Sequence, residues 1–275
     1  MFNTKQISRD FSDAAAQYDA HAHLQQHVQN TLLTKIQPLL TAQSRVLDAG
    51  CGTGQLARSL KNHSVTQLDI AYAMCKKAML PGRPAINAAI ESLPFADATF
   101  DVVFSSLALQ WVADQEFAIK EMKRVCKPGA IVAFSTFAKG TLCELQESFA
   151  VVDAYPHVSS FVSYLGVNSK PLVPLSSSCD LIAGSQVKRG VALDPVVKPQ
   201  DDVMKETITE YFPNLISLMR HLKAMGARNK HADRRRGMLT PRQMQKVEDY
   251  YREHFGTSQG LAVTWNVVYK VMHRL

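Results

Sequence analysis

The sequence predicts an α/β fold: a mainly parallel twisted sheet with helices on both faces and an antiparallel strand at the C-terminal end. Three observations carry this. Short apolar runs at Val46–Leu47, Val65–Leu68, Val102–Phe104 and Ala130–Phe134 alternate with amphipathic stretches, the order expected of parallel strands joined by right-handed crossovers. The first run passes into R-V-L-D-A-G-C-G-T-G at 45–54, where Gly50, Gly52 and Gly54 alternate before helical spacing resumes at Gln55–Leu60. Asp69 stands directly after the second run, 19 positions beyond Gly50.

Taken in order, residues 7–37 place Phe11, Ala14, Ala15, Tyr18 and Ala22, then Val28, Leu32, Leu33 and Ile36, at helical spacing in two segments, the second ended by Pro38. His21, His23 and His27 lie here without a carboxylate or cysteine to complete a ligand set, so they read as a solvated helix face and no metal is expected. After the glycine loop and Asp69, Ala71–Ala78 reads as a helix with Met74 on the side that would face a ligand. Val102–Phe104 is a third buried strand, preceded by Asp101. Helix Gln115–Cys126 follows, ended by Lys127, Pro128 and Gly129, and Ala130–Phe134 is the next strand. Thr141–Ala154 is amphipathic. Pro156 to about Gln200, with five prolines and Ser176–Ser178, reads as a loop-rich insertion. A strand at Val203–Phe212 feeds a helix, Pro213–Met225, with proline in a tolerated first turn and Gly226 closing it. The basic run K-H-A-D-R-R-R-G comes next, then Thr240 and Pro241 as N-cap and first turn of helix Arg242–Phe255. Leu261–Met272 closes the chain as an antiparallel strand at or near the sheet edge.

With 275 residues, 46% of them hydrophobic, the chain can bury a full core as one large domain. A formal charge of +7 favours an acidic partner, whether nucleic acid, protein or anionic surface, without choosing among them. Five cysteines, odd in number and without C-x-x-C spacing, argue against a disulfide frame and a zinc site and point to a reducing compartment. M-F-N-T-K-Q-I-S-R-D lacks the apolar core of a signal peptide, and no run of about 18 apolar residues exists. A cytoplasmic location is the expectation.

Glycine is needed in the 50–54 loop wherever the backbone takes positive φ or a ligand comes close. An acidic residue about 20 positions on accepts hydrogen bonds from both ribose hydroxyls of a nucleoside. The spacing is G-x-G-x-G rather than the G-x-G-x-x-G of dinucleotide sites, and Asp48 precedes the loop. A carboxylate there suits a cationic ligand better than a pyrophosphate.

V-L-D-A-G-C-G-T-G, L-D-I-A-x-x-M, E-S-L-P-F, F-D-V-V-F-S-S-L-A-L-Q-W and V-C-K-P-G-A-I-V-A-F-S-T follow one another as in the Rossmann-like class I S-adenosylmethionine (SAM) methyltransferases, which the chain resembles. Three further stretches look like one family within them, the malonyl-acyl carrier protein O-methyltransferases of biotin synthesis: residues 11–25, residues 140–153 with Pro156 and His157, and residues 217–227 with 238–243. Residues 158–202 match poorly. The resemblance implies one methyltransferase domain: a helical lid at 1–40 bearing Tyr18, a SAM-binding core at 41–137, a helical and loop-rich insertion over the acceptor site at 138–202, and strands and helices completing the sheet at 203–275. It sets SAM against Tyr18, Asp48, Gly50, Gly52, Gly54, Asp69, Ile70, Met74, Ala89, Ile90, Ser105 and Gln110. Ala89 stands where the family usually has an aspartate for the adenine amino group, so the backbone beside Ile90 is left to read the ring. Losing one charge-assisted hydrogen bond costs about 1.5 to 3 kcal/mol.

The implied reaction moves the SAM methyl to the free carboxylate of malonyl carried on acyl carrier protein. That carboxylate is ionised at pH 7, so no general base is required. Arg220 is the expected grip on it, with Tyr18 and His157 also positioned to orient the acceptor, and Arg228, Lys230, Arg234, Arg235 and Arg236 would receive the acidic carrier. Arg220 bound to a structural carboxylate, and the basic run as a solvated loop, would look the same in sequence. Another small-molecule methyltransferase, acting on a quinone carbon or a free acid, would share the SAM motifs but not the three added stretches. A SAM-binding or carrier-binding module without turnover would share them all. Nucleic acid is disfavoured as substrate, because Ser105-Ser106-Leu107 stands roughly where an N-P-P-Y motif would act on a flipped base.

Overall fold

Val46, Leu47 and Ala49 in strand β1 (Arg45–Ala49) are all fully buried, as expected of a central strand covered on both faces. A computed structural model describes residues 4–151, 202–226 and 239–274 of the chain. β1 pairs in parallel with β2 (Ser64–Asp69) on one side and β4 (Phe100–Ser106) on the other. β2 pairs in parallel with β3 (Ala85–Asn87), and β4 with β5 (Cys126–Phe137). Two antiparallel strands complete the sheet, β8 (Gly260–His273) against β5 and β6 (Asp202–Phe212) against β8, while the short β7 (Gly256–Thr257) pairs with the start of β8. The order is β3-β2-β1-β4-β5-β8-β6.

The strand order reverses direction between β1 and β4, and such a switch point opens a crevice at the carboxyl ends of the strands. Period-two alternation sorts the core. Val46, Val102, Phe104 and Ala133 face helix α3 (His23–Ile36) through Leu24, Val28, Leu32 and Ile36. Leu47, Val103, Val132 and Phe134 face helix α6 (Gln115–Val125) through Ala118, Met122 and Val125. At the C-terminal end, α8 (Leu215–Ala224) and α9 (Pro241–Phe255) join the α3 side through Leu218, Leu222, Val247 and Tyr251.

Several boundaries differ from the sequence reading. The N-terminal region makes three helices, α1 (Thr4–Ala14), α2 (Tyr18–His21) and α3, because turn bonds at Ala15 and Gln17 break the first run. Helix α5 spans Tyr72–Ala78, with Ala71 at its extended N-cap. β3 escaped the reading because its three residues are not buried and carry no strong alternation. β5 starts at Cys126, ahead of the Lys-Pro-Gly expected to close the helix, since Cys126 already pairs with Phe100. Helix α7 is Cys143–Ala150, shorter than expected at its start, where Leu142 has a left-handed backbone. Pro213 lies outside α8: Asn214 is the N-cap, closing a capping box with Ser217. The last strand lies one place in from the edge, which β6 forms. The insertion at 156–200, His157 and the basic residues Arg228, Lys230 and Arg234–Arg236 fall outside the described residues.

Candidate active site

The glycine loop is held from beneath by its neighbour strand. The amides of Gly50 and Cys51 both donate to the Leu68 carbonyl, at 2.7 and 2.9 Å, folding the loop back over β2. Gly50, Gly52 and Gly54 have φ of +88°, +52° and +86°, the left-handed region that side chains avoid. Each glycine also answers a different neighbour. A Cβ on Gly50 would collide with Cβ of Ala108, and one on Gly54 would lie 2.5 Å from Oε1 of Gln67 and 2.8 Å from Cα of Ala78, so Gly54 serves packing of helix α4 (Gln55–Ser59) against its surroundings. At Gly52 the nearest atom, of the Tyr18 ring, is 3.9 Å away, which leaves that position facing the crevice.

Asp69 ends β2 with both oxygens engaged: the Gly52 amide donates to Oδ2 at 2.9 Å and the Ala71 amide to Oδ1 at 2.8 Å. Burial pushes its carboxyl up to about 6, against the pull of those two amides. Asp48, at the end of β1, is 3% exposed, and its Oδ2 is buried without a hydrogen-bond partner among the described residues. Burial, and secondarily the Asp69 charge, pushes its carboxyl up to about 8. The same surroundings raise the Cys51 thiol well above its ordinary value and the Tyr18 hydroxyl likewise.

Between these groups lies an open cleft. It is lined by Gly50, Gly52, Asp69 and Ile70, by Met74, Ala88, Ile90 and Glu91, and by Ser106, Leu107, Ala108, Trp111 and Val112. The N-terminal helices cover it with Thr4, Ile7, Phe11 and Tyr18. That cover is fastened by contacts far apart in sequence: Thr53 Oγ1 donates to Asp19 at 2.5 Å, Ser8 Oγ to the Ile70 carbonyl at 2.9 Å, and Lys77 Nζ to the Ala16 carbonyl at 3.1 Å.

Tyr18, Gly50, Gly52, Asp69, Ile70, Met74 and Ile90 are thus gathered at one cleft. Asp48 lies buried beside the same loop. Ala89 does not line the cleft, though its neighbours Ala88 and Ile90 do. Ser105 is fully buried, and strand alternation gives the cleft position to Ser106. Gln110 braces the loop after β4, donating to the Leu107 carbonyl at 2.6 Å, and lines an adjoining chamber. Arg220 is exposed on α8 and lines neither space. Sequence reasoning missed Asp19, Thr53 and Ala108. It also missed Leu107, whose φ of +47° is unusual for a bulky residue. Only Ala108 and Leu107 had a signal, the quoted stretch after β4.

A methyltransferase-domain model matches residues 47–134. Across nearly the whole chain, relatives named malonyl-acyl-carrier-protein O-methyltransferase align at 34% identity in Halorhodospira halophila (96% of this chain, 85% of that one), 33% in Salmonella typhimurium (90% and 89%) and 32% in Erwinia pyrifoliae (99% and 94%). The chain belongs to the malonyl-acyl-carrier-protein O-methyltransferase family. Solved structures of the YcgJ protein of Bacillus subtilis (TM-score 0.52, 14% identity, 90% of this chain and 98% of that one) and of a candidate methyltransferase of Bacillus halodurans (0.50, 13%, 88% and 98%) share the fold. A buried carboxylate oxygen without a partner is costly, and at Asp48 the deficit is of the sign that a cationic nucleoside would fill. Among the described residues, no group of three or more His, Cys, Asp and Glu side chains is placed to hold a metal, and no helix is long and apolar enough to cross a membrane.

Proposed function

We propose that this protein binds SAM in the cleft and methylates the free carboxylate of malonyl carried on acyl carrier protein. The observation that carries the reading is the unpartnered, buried Asp48 carboxylate beside Asp69, within a chain whose family is named for that reaction. When bound, SAM supplies a methyl group on a positively charged sulfur. Asp48 matches the cationic end of the cofactor. Asp69 accepts the ribose hydroxyls on lone pairs left over from Gly52 and Ala71. Ile70, Met74, Ala88 and Ile90 offer an apolar slot for the adenine. Tyr18 and Phe11 shut the cleft from water, which strengthens the attraction between a negative acceptor and a positive donor.

No side chain has to take a proton, because a carboxylic acid with an ordinary pKa near 4 is already ionised at neutral pH. The chain's task is to hold the acceptor oxygen in line, and positioning alone can supply several kcal/mol of barrier. The acidic carrier would meet the basic residues Arg228, Lys230 and Arg234–Arg236, with Arg220 exposed on α8 available to the same partner. A cytoplasmic setting agrees with the free, buried cysteines Cys51, Cys75 and Cys126.

The test is transfer of labelled methyl from SAM to malonyl-carrier protein, beside free malonate and malonyl-coenzyme A. Label on the carrier-bound malonyl is expected. Bound SAM with no transfer to any of the three would refute the reading in favour of a different acceptor or a binding module.

A further inference from the structure

A second, smaller chamber adjoins the cleft, sharing with it the lining residues Phe11, Tyr18, Leu107 and Trp111. Phe137, Met225 and Trp265 also line it. None of its described lining residues is charged. The Trp265 indole N–H is already committed, donating to Glu210 Oε2 at 2.8 Å. So is the Gln110 amide, between the Leu107 carbonyl and the Thr136 hydroxyl, which donates to Gln110 Oε1 at 3.5 Å.

Gln25, on α3, differs. Its Nε2 reaches the Met225 sulfur at 3.1 Å, a weak acceptor, while its Oε1 is buried with no hydrogen-bond partner among the described residues. An amide with one weak partner and one missing one is unfavourable in an apolar setting unless something completes it. Turning the amide over exchanges oxygen and nitrogen without changing its shape. Its N–H group then stands where the oxygen is stranded, ready for an anionic oxygen.

The chemistry of methyl transfer favours such a group over an arginine. The acceptor carboxylate starts negative, the sulfonium starts positive, and both charges vanish as the oxygen–methyl bond forms and the methyl–sulfur bond breaks, the electron pair passing to sulfur. A guanidinium would hold the starting carboxylate more tightly than the transition state and so slow the step. A neutral amide orients the oxygen and loses less as its charge drains away. Aromatic and thioether walls add no competing charge.

We propose that Gln25 is the residue that orients the malonyl carboxylate in this chamber. The inference rests on the functional reading above. Its test compares wild type, Gln25→Met and Gln25→Glu for SAM affinity by calorimetry, thermal stability and steady-state methylation of malonyl-carrier protein from about pH 4 to 8.5, a range that spans the ordinary glutamate value of about 4.3. Gln25→Met should raise the acceptor KM about tenfold with SAM affinity within about twofold of wild type, the loss of one hydrogen bond to a charged group. Gln25→Glu should lose more at pH 8, where two carboxylates repel, and recover toward wild type as the pH falls and the new acid regains an O–H donor. A structural role would lower thermal stability without that recovery. Gln25→Met with wild-type acceptor KM and kcat, or Gln25→Glu with a wild-type pH profile, would overturn the assignment. Wild-type protein that binds SAM but leaves malonyl-carrier protein unmethylated would overturn the functional reading first, and this assignment with it.

Discussion

Replacing Asp48 by asparagine should stabilise the ligand-free protein and weaken its hold on SAM. The Asp48 carboxyl is pushed from an ordinary 3.8 up to about 8 by burial and by the Asp69 charge. At pH 7 the native chain therefore keeps this proton in roughly nine molecules of ten, whereas the unfolded chain has released it. Because the native state binds more protons, stability falls as pH rises between about 4 and 8, by about 1.4 kcal/mol per pH unit from this group, and levels off above. The accumulated penalty by pH 8 is on the order of 5 kcal/mol. An asparagine side chain has no charge to bury, so urea unfolding of Asp48→Asn should match wild type near pH 4 and exceed it progressively toward pH 8. Binding should tell the complementary story. A cation placed against Asp48 must expel the proton, so SAM binding at pH 7 should release about one proton in wild type, read by calorimetry in buffers of different ionisation heat, and none from this site in Asp48→Asn. Parallel stability curves for the two proteins would refute the raised Asp48 carboxyl, and equal SAM affinity would refute its pairing with the cationic end of the cofactor.

Asp69→Ala should cost about 2 to 4 kcal/mol of SAM affinity, at roughly 1.5 to 3 per charged hydrogen bond; it should also lower thermal stability, since the Gly52 and Ala71 amides lose their acceptor, and calorimetry showing unchanged affinity would dismiss the ribose role. Gly50→Val should abolish SAM binding by driving Cβ into Ala108 at a φ of +88°; a folded variant binding normally would make the loop a connector. Arg234→Ala, Arg235→Ala and Arg236→Ala together should raise KM for malonyl-carrier protein and flatten its salt dependence, because surface attraction is screened within about 8 Å, while leaving a carrier-free malonyl thioester unaffected; equal losses on both acceptors would put these residues in the site or the fold.

How much of this was legible in the sequence depends on the range of the interaction concerned. The loop 45–54 and Asp69 were readable because backbone geometry restricts residue type locally: left-handed φ selects glycine, and a strand end selects the position of an acid. The parallel strands were readable because burial on both faces makes an unbroken apolar run, as at Val102–Phe104. β3 was not, since a half-buried three-residue edge carries no such run. The division of labour inside the site was also hidden. Ser105 and Ser106 are equivalent in composition, and only the pleat decides that Ser106 faces the cleft. Asp19 latches to Thr53 across 34 positions, a contact that no local pattern announces. Gln110 sat in a recognisable motif, but its amide braces a loop and was not distinguishable there from a ligand contact.

Arg220 is exposed on α8 and lines neither of the two described spaces. The residue was drawn to the carboxylate by the usual pairing of opposite charges, yet the helix that bears it turns Leu215, Leu218 and Leu222 into the core. Arg220, together with Ile216, Met219 and Lys223, stays exposed. On the proposed reading the acceptor is recognised at two distances by different physics. A basic outer surface attracts an acidic carrier over several ångströms and can be strong without affecting the reacting atoms, since it acts equally on ground and transition states. The inner chamber must favour the moment at which both charges disappear, and there a fixed cation would hold the reactant back. The separation is measurable: Arg220→Ala should respond to salt and to removal of the carrier, whereas changes at Gln25 should act on the malonyl group whatever carries it.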